Sequence, residues 1–207
     1  MIDETKSDLL PGSGVDTDKF SPVKNSKNTK FIFLFIARLI KDKGICELIE
    51  AVQILSKNRD DFSLYLLGET GVKNKTAISK DELEIWLKND FINYLGKSDD
   101  VRDTICGSDC VVLPSYREGT PRSLLEAASM AKPIVTTNVT GCKEVVDDGI
   151  NGLLCEVKNA KDLAQKMEKM LNLSDEERRR MGTSGREKMI KRFDEKIVIS
   201  KYLEIIL

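Results

Sequence analysis

The chain has 207 residues, 41% of them apolar and 32% charged, with 33 Lys plus Arg against 34 Asp plus Glu and a formal net charge of −1. That length allows one domain with a substantial core, and the balanced charge gives no excess of cations for nonspecific binding to nucleic acid or an anionic membrane. Histidine is absent, which excludes Ser-His and Cys-His nucleophiles and leaves carboxylates, lysines, arginines and backbone dipoles to carry any chemistry.

The first thirty residues are rich in Asp, Ser, Lys and Asn and are broken by Pro11, Gly12, Gly14 and Pro22, so they read as a connecting segment. The acidic start, Met1-Ile2-Asp3-Glu4, is not what a signal peptide needs, and no apolar run approaches the ~20 residues that span a bilayer. Asp16 and Asp18 form a DxD; among so many turn formers they read as turn caps rather than metal ligands. Cys46, Cys106, Cys110, Cys142 and Cys155 form no CxxC pair, so reduced thiols and a cytoplasmic location are expected.

Phe31 to Ala37 is a near-continuous apolar run, as expected of a parallel strand covered on both faces. Arg38 follows it, and Lys43-Gly44 comes where the next helix begins. Ligands of open α/β sheets bind beyond the carboxyl ends of strands, so both cations are placed to meet a diphosphate. Ile45, Leu48, Ile49, Val52 and Leu55 recur at helical spacing over Ile45 to Lys57. A second strand is expected over Phe62 to Leu67, a helix over Ile78 to Lys88 with Ser79 as its N-cap, a third strand over Phe91 to Leu95, and a short helix over Val101 to Cys106.

The densest signal is DCVVLPSYREGTPRSLLEAASMAKP, Asp109 to Pro133. Cys110 to Leu113 has the length and branching of a buried strand, and Pro114 stops it. Thr120-Pro121 reads as an N-cap followed by proline at the first helical position, with the helix running through Met130. Glu118 stands just outside that helix and Glu126 about a turn and a half inside. Between them, amides without intrahelical acceptors and the positive end of the helix dipole favour a phosphate. Carboxylates on either side would accept hydroxyl hydrogen bonds, and a nucleotide-sugar fits both requirements. Two glutamates alone read more readily as a solvated loop residue and a polar helix residue than as a site.

Further on, Ile134 to Thr137 is a fifth strand, Gly141 to Val145 opens a helix, and Leu153 to Cys155 follows the turn residues of DDGING. A helix is expected from about Ala160. From Ser174 the chain is charged and helical, acids alternating with bases as on a solvated face, and Phe193, Ile197, Ile199, Tyr202 and Ile205 give the last helix an apolar face. Alternating strands and helices predict an α/β fold with a doubly wound, Rossmann-like parallel sheet.

EGTPRSLLEA, with seven residues between its glutamates, and RLIKDKG resemble the donor-site signatures of the retaining, GT-B-fold glycosyltransferases with the E-x7-E motif, the glycosyl transferases of group 1. LLPGSGVDTDKF, Leu9 to Phe20, is similar to that family's interdomain connection, and DDGINGLL to its approach to the final strand. The resemblance implies a single GT-B C-terminal domain with extra C-terminal helices: a connection over residues 1–30, a nucleotide-sugar-binding domain over 31–173 and helices over 174–207. It implies that Glu118 contacts the donor sugar and stabilises its developing oxocarbenium charge, and that Glu126 accepts from the ribose. Arg38, Lys43, Gly119, Thr120 and Ser123 would hold the diphosphate without a metal or cofactor. Tyr94, Leu95 and Gly96 would lie against the nucleobase, although Tyr94 reads equally well as a core aromatic.

The implied partners are an NDP-sugar donor and a glycan or lipid-linked acceptor, reached through a first domain that this chain is expected to lack. The implied setting is bacterial surface polysaccharide synthesis, in the cytoplasm and peripheral to the inner face of the membrane. A nucleotide-sugar epimerase or a stand-alone binding module with a separate acceptor-binding subunit are the alternatives.

Overall fold

The structure, a computed structural model, describes residues 13–23 and 29–206. Residues 1–12 and 24–28 of the expected connection lie outside them.

Six strands, β1 (Phe31–Ile36), β2 (Phe62–Leu67), β3 (Ile92–Tyr94), β4 (Cys110–Leu113), β5 (Ile134–Thr137) and β6 (Gly152–Cys155), form one sheet in the order β3-β2-β1-β4-β5-β6. All five pairings are parallel. This is the doubly wound, Rossmann-like α/β arrangement expected from the alternation of elements. Phe33, Leu34 and Phe35 of β1 and Val111 and Val112 of β4 are fully buried, because the two central strands are covered on both faces. Complete burial of one such side chain contributes about 1.5–3 kcal/mol.

Between the strands run α1 (Ile45–Leu55), α2 (Lys80–Trp86), α3 (Arg102–Cys106), α4 (Arg122–Ser129) and α5 (Thr140–Val145), and after them α6 (Ala160–Asn172), α7 (Asp175–Lys188) and α8 (Glu195–Ile206). The chain winds from β1 toward β2 through α1 and from β4 toward β5 through α4. Right-handed crossovers in these opposite directions put α1 and α4 on opposite faces. Helix α6 then packs on α1, and α7 on α4. Ser79 caps α2 and Ser174 caps α7, each in a capping box with a glutamate three residues on.

Two expectations change. The N-cap of α4 is Pro121, not Thr120: ψ of 114° at Pro121 keeps it extended, so the loop runs one residue further and Arg122 is the first helical residue. The last apolar stripe is also not one covered helix face. Met189–Phe193 forms a π-helical turn that buries Phe193, while Ile199 and Tyr202 on α8 stand about half exposed. The break comes at Asp194, whose buried carboxylate accepts from the Thr17 hydroxyl and from the Lys196 amide and so starts a new helix.

That capping also anchors the leading segment. The Val15 amide donates to the Phe193 carbonyl at 2.8 Å and the Glu195 amide to the Val15 carbonyl at 3.0 Å. Arg186 of α7 donates through Nη1 to the carbonyls of Thr17, Phe20 and Ser129, joining the segment to the end of α4. Asp16 caps its own turn, accepting from the amides of Asp18 and Lys19, and Asp18 pairs with Lys196 at 2.7 Å.

Candidate nucleotide-sugar site

The chain leaves β1 toward β2 and leaves the neighbouring β4 in the opposite direction, toward β5, so the carboxyl ends of β1 and β4 flank the switch point where open α/β sheets bind ligands. Two loops meet there. The first carries Arg38 and a 3-10 turn at Lys41–Lys43; the second runs from Pro114 to Pro121. Gly44 joins them closely: its φ is +71°, and a Cβ there would lie 1.9 Å from the Pro114 carbonyl oxygen, so only glycine fits. The Asp42 carbonyl accepts from the Tyr116 amide at 2.9 Å and from the Ser115 hydroxyl at 3.2 Å. The Tyr116 hydroxyl bonds both carboxylate oxygens of Glu47 on α1, at 2.7 and 2.9 Å. Burial pushes the Tyr116 phenol up, and Glu47 adds to the shift, so Tyr116 stays protonated and donating.

This clamp brings together two residues 75 apart in sequence: Lys43 Nζ lies 2.5 Å from Glu118 Oε1. The Glu118 side chain is only 10% exposed and that of Lys43 21%, so the pair is shielded from bulk solvent. Behind it, the start of α5 presses on the same loop at Gly141. The Thr137 hydroxyl donates to the Ser115 carbonyl at 2.5 Å from below.

Gly119, Thr120 and Ser123 follow at the N-terminal end of α4. The amides of Leu124 and Leu125 are taken by the Pro121 carbonyl, while those of Arg122 and Ser123 have no backbone acceptor among the described residues. Such amides, at the positive end of the helix dipole, are the groups by which helix ends can hold an anion. Arg38 is exposed and its side chain makes no ion pair among the described residues.

Glu126 lies one turn deeper. It is 14% exposed, 3.6 Å from Arg122, and lines a small cleft with Asp16, Lys19 and Glu195. Burial raises its carboxyl pKa; Arg122 and Lys19 oppose that shift and Asp100, after β3, adds to it. Glu126 therefore faces the leading segment and the start of α8. On the loop that follows β3, Gly96 has φ of +76° and its carbonyl accepts from the Gly68 amide, and Leu95 is exposed. The Tyr94 hydroxyl donates to the Gly68 carbonyl at 2.9 Å, tying β3 to the end of β2.

Sequence reasoning did not single out Asp42, Glu47, Tyr116 or Gly141. Gly141 carried the one available signal, a glycine inside the first turn of a helix, where it lowers helix stability unless something approaches closely.

A second cleft lies at the opposite, amino end of the central strands, lined by Lys30, Asp61, Asp109, Arg178 and Arg179 among others. Its charges serve the fold. Arg178 donates to the carbonyls of Met170, Leu171 and Leu173 and so caps α6, while Asp61 pairs with Arg59 and Arg179 with Glu176. The Asp109 carboxylate accepts from the Ile32 amide.

The family model described as Glycosyl transferases group 1 matches residues 16–188. The N,N'-diacetylbacillosaminyl-diphospho-undecaprenol alpha-1,3-N-acetylgalactosaminyltransferase of Campylobacter jejuni is 30% identical over 216 residues, covering 99% of this chain and 55% of that protein. The chain spans about half the length of the curated relatives it matches. Among solved structures, the C-terminal domain of a glycosyl transferase group 1 family protein (LpcC) from Francisella tularensis has a TM-score of 0.76 at 25% identity, covering 87% of this chain and 99% of that one. HepE from Anabaena, in complex with UDP, has a TM-score of 0.82 at 20% identity, covering 93% of this chain and 55% of that one, a likeness of fold. Among the described residues, no helix is long and apolar enough to cross a membrane.

Proposed function

The chain belongs to the glycosyl transferases of group 1, and we propose that it is the donor-binding half of a longer retaining glycosyltransferase that moves a sugar from an NDP-sugar to a glycan or lipid-linked acceptor. The observation that carries this reading is the meeting of Lys43, Glu118 and the free amides of α4 at the switch point of the sheet. A diphosphate seated there would draw on Arg38, Lys43 and the amides around Gly119 and Ser123, which together answer its charge without a metal or cofactor. The ribose would meet Glu126, and the base would lie against Leu95 and Gly96, the Tyr94 hydroxyl being spent on Gly68.

In transfer, the bond from the sugar's anomeric carbon to the diphosphate breaks as the acceptor oxygen bonds to that carbon from the same face and its hydroxyl proton passes to the departing diphosphate oxygen. Glu118 faces the positive charge that grows on the sugar, while the cations and amides hold the negative charge that grows on the leaving group. Support for the acceptor class comes from the C. jejuni relative, whose name places its acceptor on diphospho-undecaprenol. A setting in surface polysaccharide synthesis has the support of a capsular polysaccharide relative from Staphylococcus aureus, and the full-length enzyme is proposed to work at the inner face of the membrane. Support for a half-enzyme comes from the Francisella C-terminal domain, nearly all of which the chain matches; the proposed division within it is a connection at residues 1–30 and closing helices from 174.

The test is sugar transfer from labelled NDP-sugars to a polyprenyl-diphosphate-linked acceptor by this chain, alone and joined to a first domain of the same family. Transfer is expected from the joined protein and very little from this chain alone. Loss of less than about tenfold on Glu118→Gln in the joined protein, where removal of a group stabilising transition-state charge costs 10²–10³, would contradict the reading.

A further inference from the structure

The two residues assigned to different parts of the donor, Lys43 to its phosphates and Glu118 to its sugar, are bonded to each other at 2.5 Å. Neither is loosely held: Lys43 rides on the 3-10 turn clamped by Tyr116 and Ser115, and Glu118 sits in the loop that Gly141 backs. No other cation pairs with Glu118 among the described residues, and no other carboxylate with Lys43.

We infer that this ion pair is an exchange device: a diphosphate at the N-terminus of α4 takes Lys43 from Glu118, and the freed carboxylate is then satisfied by the hydroxyls of the attached sugar. The inference rests on the donor-site reading above and adds a coupling between its two halves. A diphosphate carries more charge than a carboxylate and presents several acceptor oxygens, so it competes effectively for one ammonium. A carboxylate only 10% exposed is costly without a partner. A nucleoside diphosphate without sugar therefore gains Lys43 while stranding Glu118, whereas the sugar conjugate leaves neither group unpaired. Glu118 thereby works against retention of the spent nucleotide and in favour of the loaded donor.

The test is a binding cycle on the full chain, using wild type, Glu118→Gln, Lys43→Met and the double variant. Calorimetry would be run with whichever of UDP, GDP and ADP binds wild type most tightly, and thermal melts would confirm that each variant is folded. Glu118→Gln is expected to tighten that nucleotide about tenfold in the wild-type background, with Lys43 freed, and to leave it unchanged in the Lys43→Met background, where nothing remains to be freed. Equal tightening in both backgrounds would mean that Glu118 acts only through its field, and would overturn the exchange. So would an unchanged or weakened affinity in Glu118→Gln alone. Failure of wild type to bind any of the three would overturn the donor-site reading and the exchange with it. A measurement free of substitutions stands beside the cycle: the nucleotide is expected to shift the Glu118 side-chain carboxyl carbon resonance while the corresponding nucleoside leaves it in place, and a resonance insensitive to bound nucleotide would overturn the exchange.

Discussion

Gly141, in the first turn of α5, stands so close to the loop before α4 that a Cβ on it would lie 1.5 Å from the Gly119 carbonyl oxygen and 2.6 Å from that of Glu118. The wall behind that loop is therefore backbone against backbone.

Gly141→Ala is expected to push Glu118 and Gly119 outward, because neither contact is with a flexible side chain that could move aside. Overpacking of this kind costs about 1–3 kcal/mol. Thermal melts should show that loss, and nucleoside diphosphate affinity should fall with it. Unchanged stability and affinity would mean that the loop is free to shift.

Lys43→Ala should leave Glu118 as a shielded carboxylate without its cation, at a cost of about 1–3 kcal/mol. A second substitution, Glu118→Gln, is expected to return most of that stability, because the stranded charge is gone. Strictly additive losses in the melts of the two single variants and the double variant would show that the pair does not couple in the fold.

Glu126 gives a dependence on pH. Burial raises its carboxyl pKa, so the folded chain holds this proton to higher pH than the unfolded chain. The stability it contributes is full below the unfolded carboxyl pKa and is lost as pH rises through the raised, folded value. Glu126→Gln removes that loss and should melt above wild type at pH 7, the difference closing below about pH 4, where the glutamate is protonated in both states. The same variant should bind nucleotide more weakly. A wild-type melting temperature higher than that of the variant at pH 7 would contradict the account.

Arg186 ties the leading segment to α4 through three carbonyls, with the shortest contact, 2.6 Å, to Ser129. Arg186→Met should cost about 2–3 kcal/mol, as expected for lost hydrogen bonds to a charged group. Amide exchange should accelerate most around Val15 and Glu195, whose backbone bonds close the same crossing. Exchange that quickens evenly over the whole chain would mean that Arg186 stabilises the fold without anchoring the segment.

The strands were legible because parallel strands covered on both faces leave short, branched apolar runs: Cys110–Leu113 and Ile134–Thr137 have the bounds read from the sequence. The start of α4 was harder to place, since proline fixes φ alike at the N-cap and at the first helical position, and only ψ at Pro121 separates the two. The apolar stripe from Phe193 misled because a π-helical turn and the capping of Asp194 by Thr17, 177 residues away, decide where that helix begins. Within the site, Lys43, Glu118 and Glu126 stood in local motifs. The Lys43–Glu118 bond, the Tyr116–Glu47 clamp and the Gly141–Gly119 approach join residues that only the fold brings together, and no local pattern encodes them.

The most direct measurement of the central claim is amide chemical-shift mapping of this chain on titration with UDP, GDP and ADP, with Lys43→Ala and Glu126→Ala alongside. One nucleotide is expected to bind saturably and to shift the amides of Lys43, Gly44, Glu118 to Leu124 and Leu95 to Lys97, with affinity reduced in both variants. Shifts clustered instead at the amino ends of the strands, around Asp61, Asp109 and Arg178, or no saturable binding at millimolar nucleotide, would contradict it.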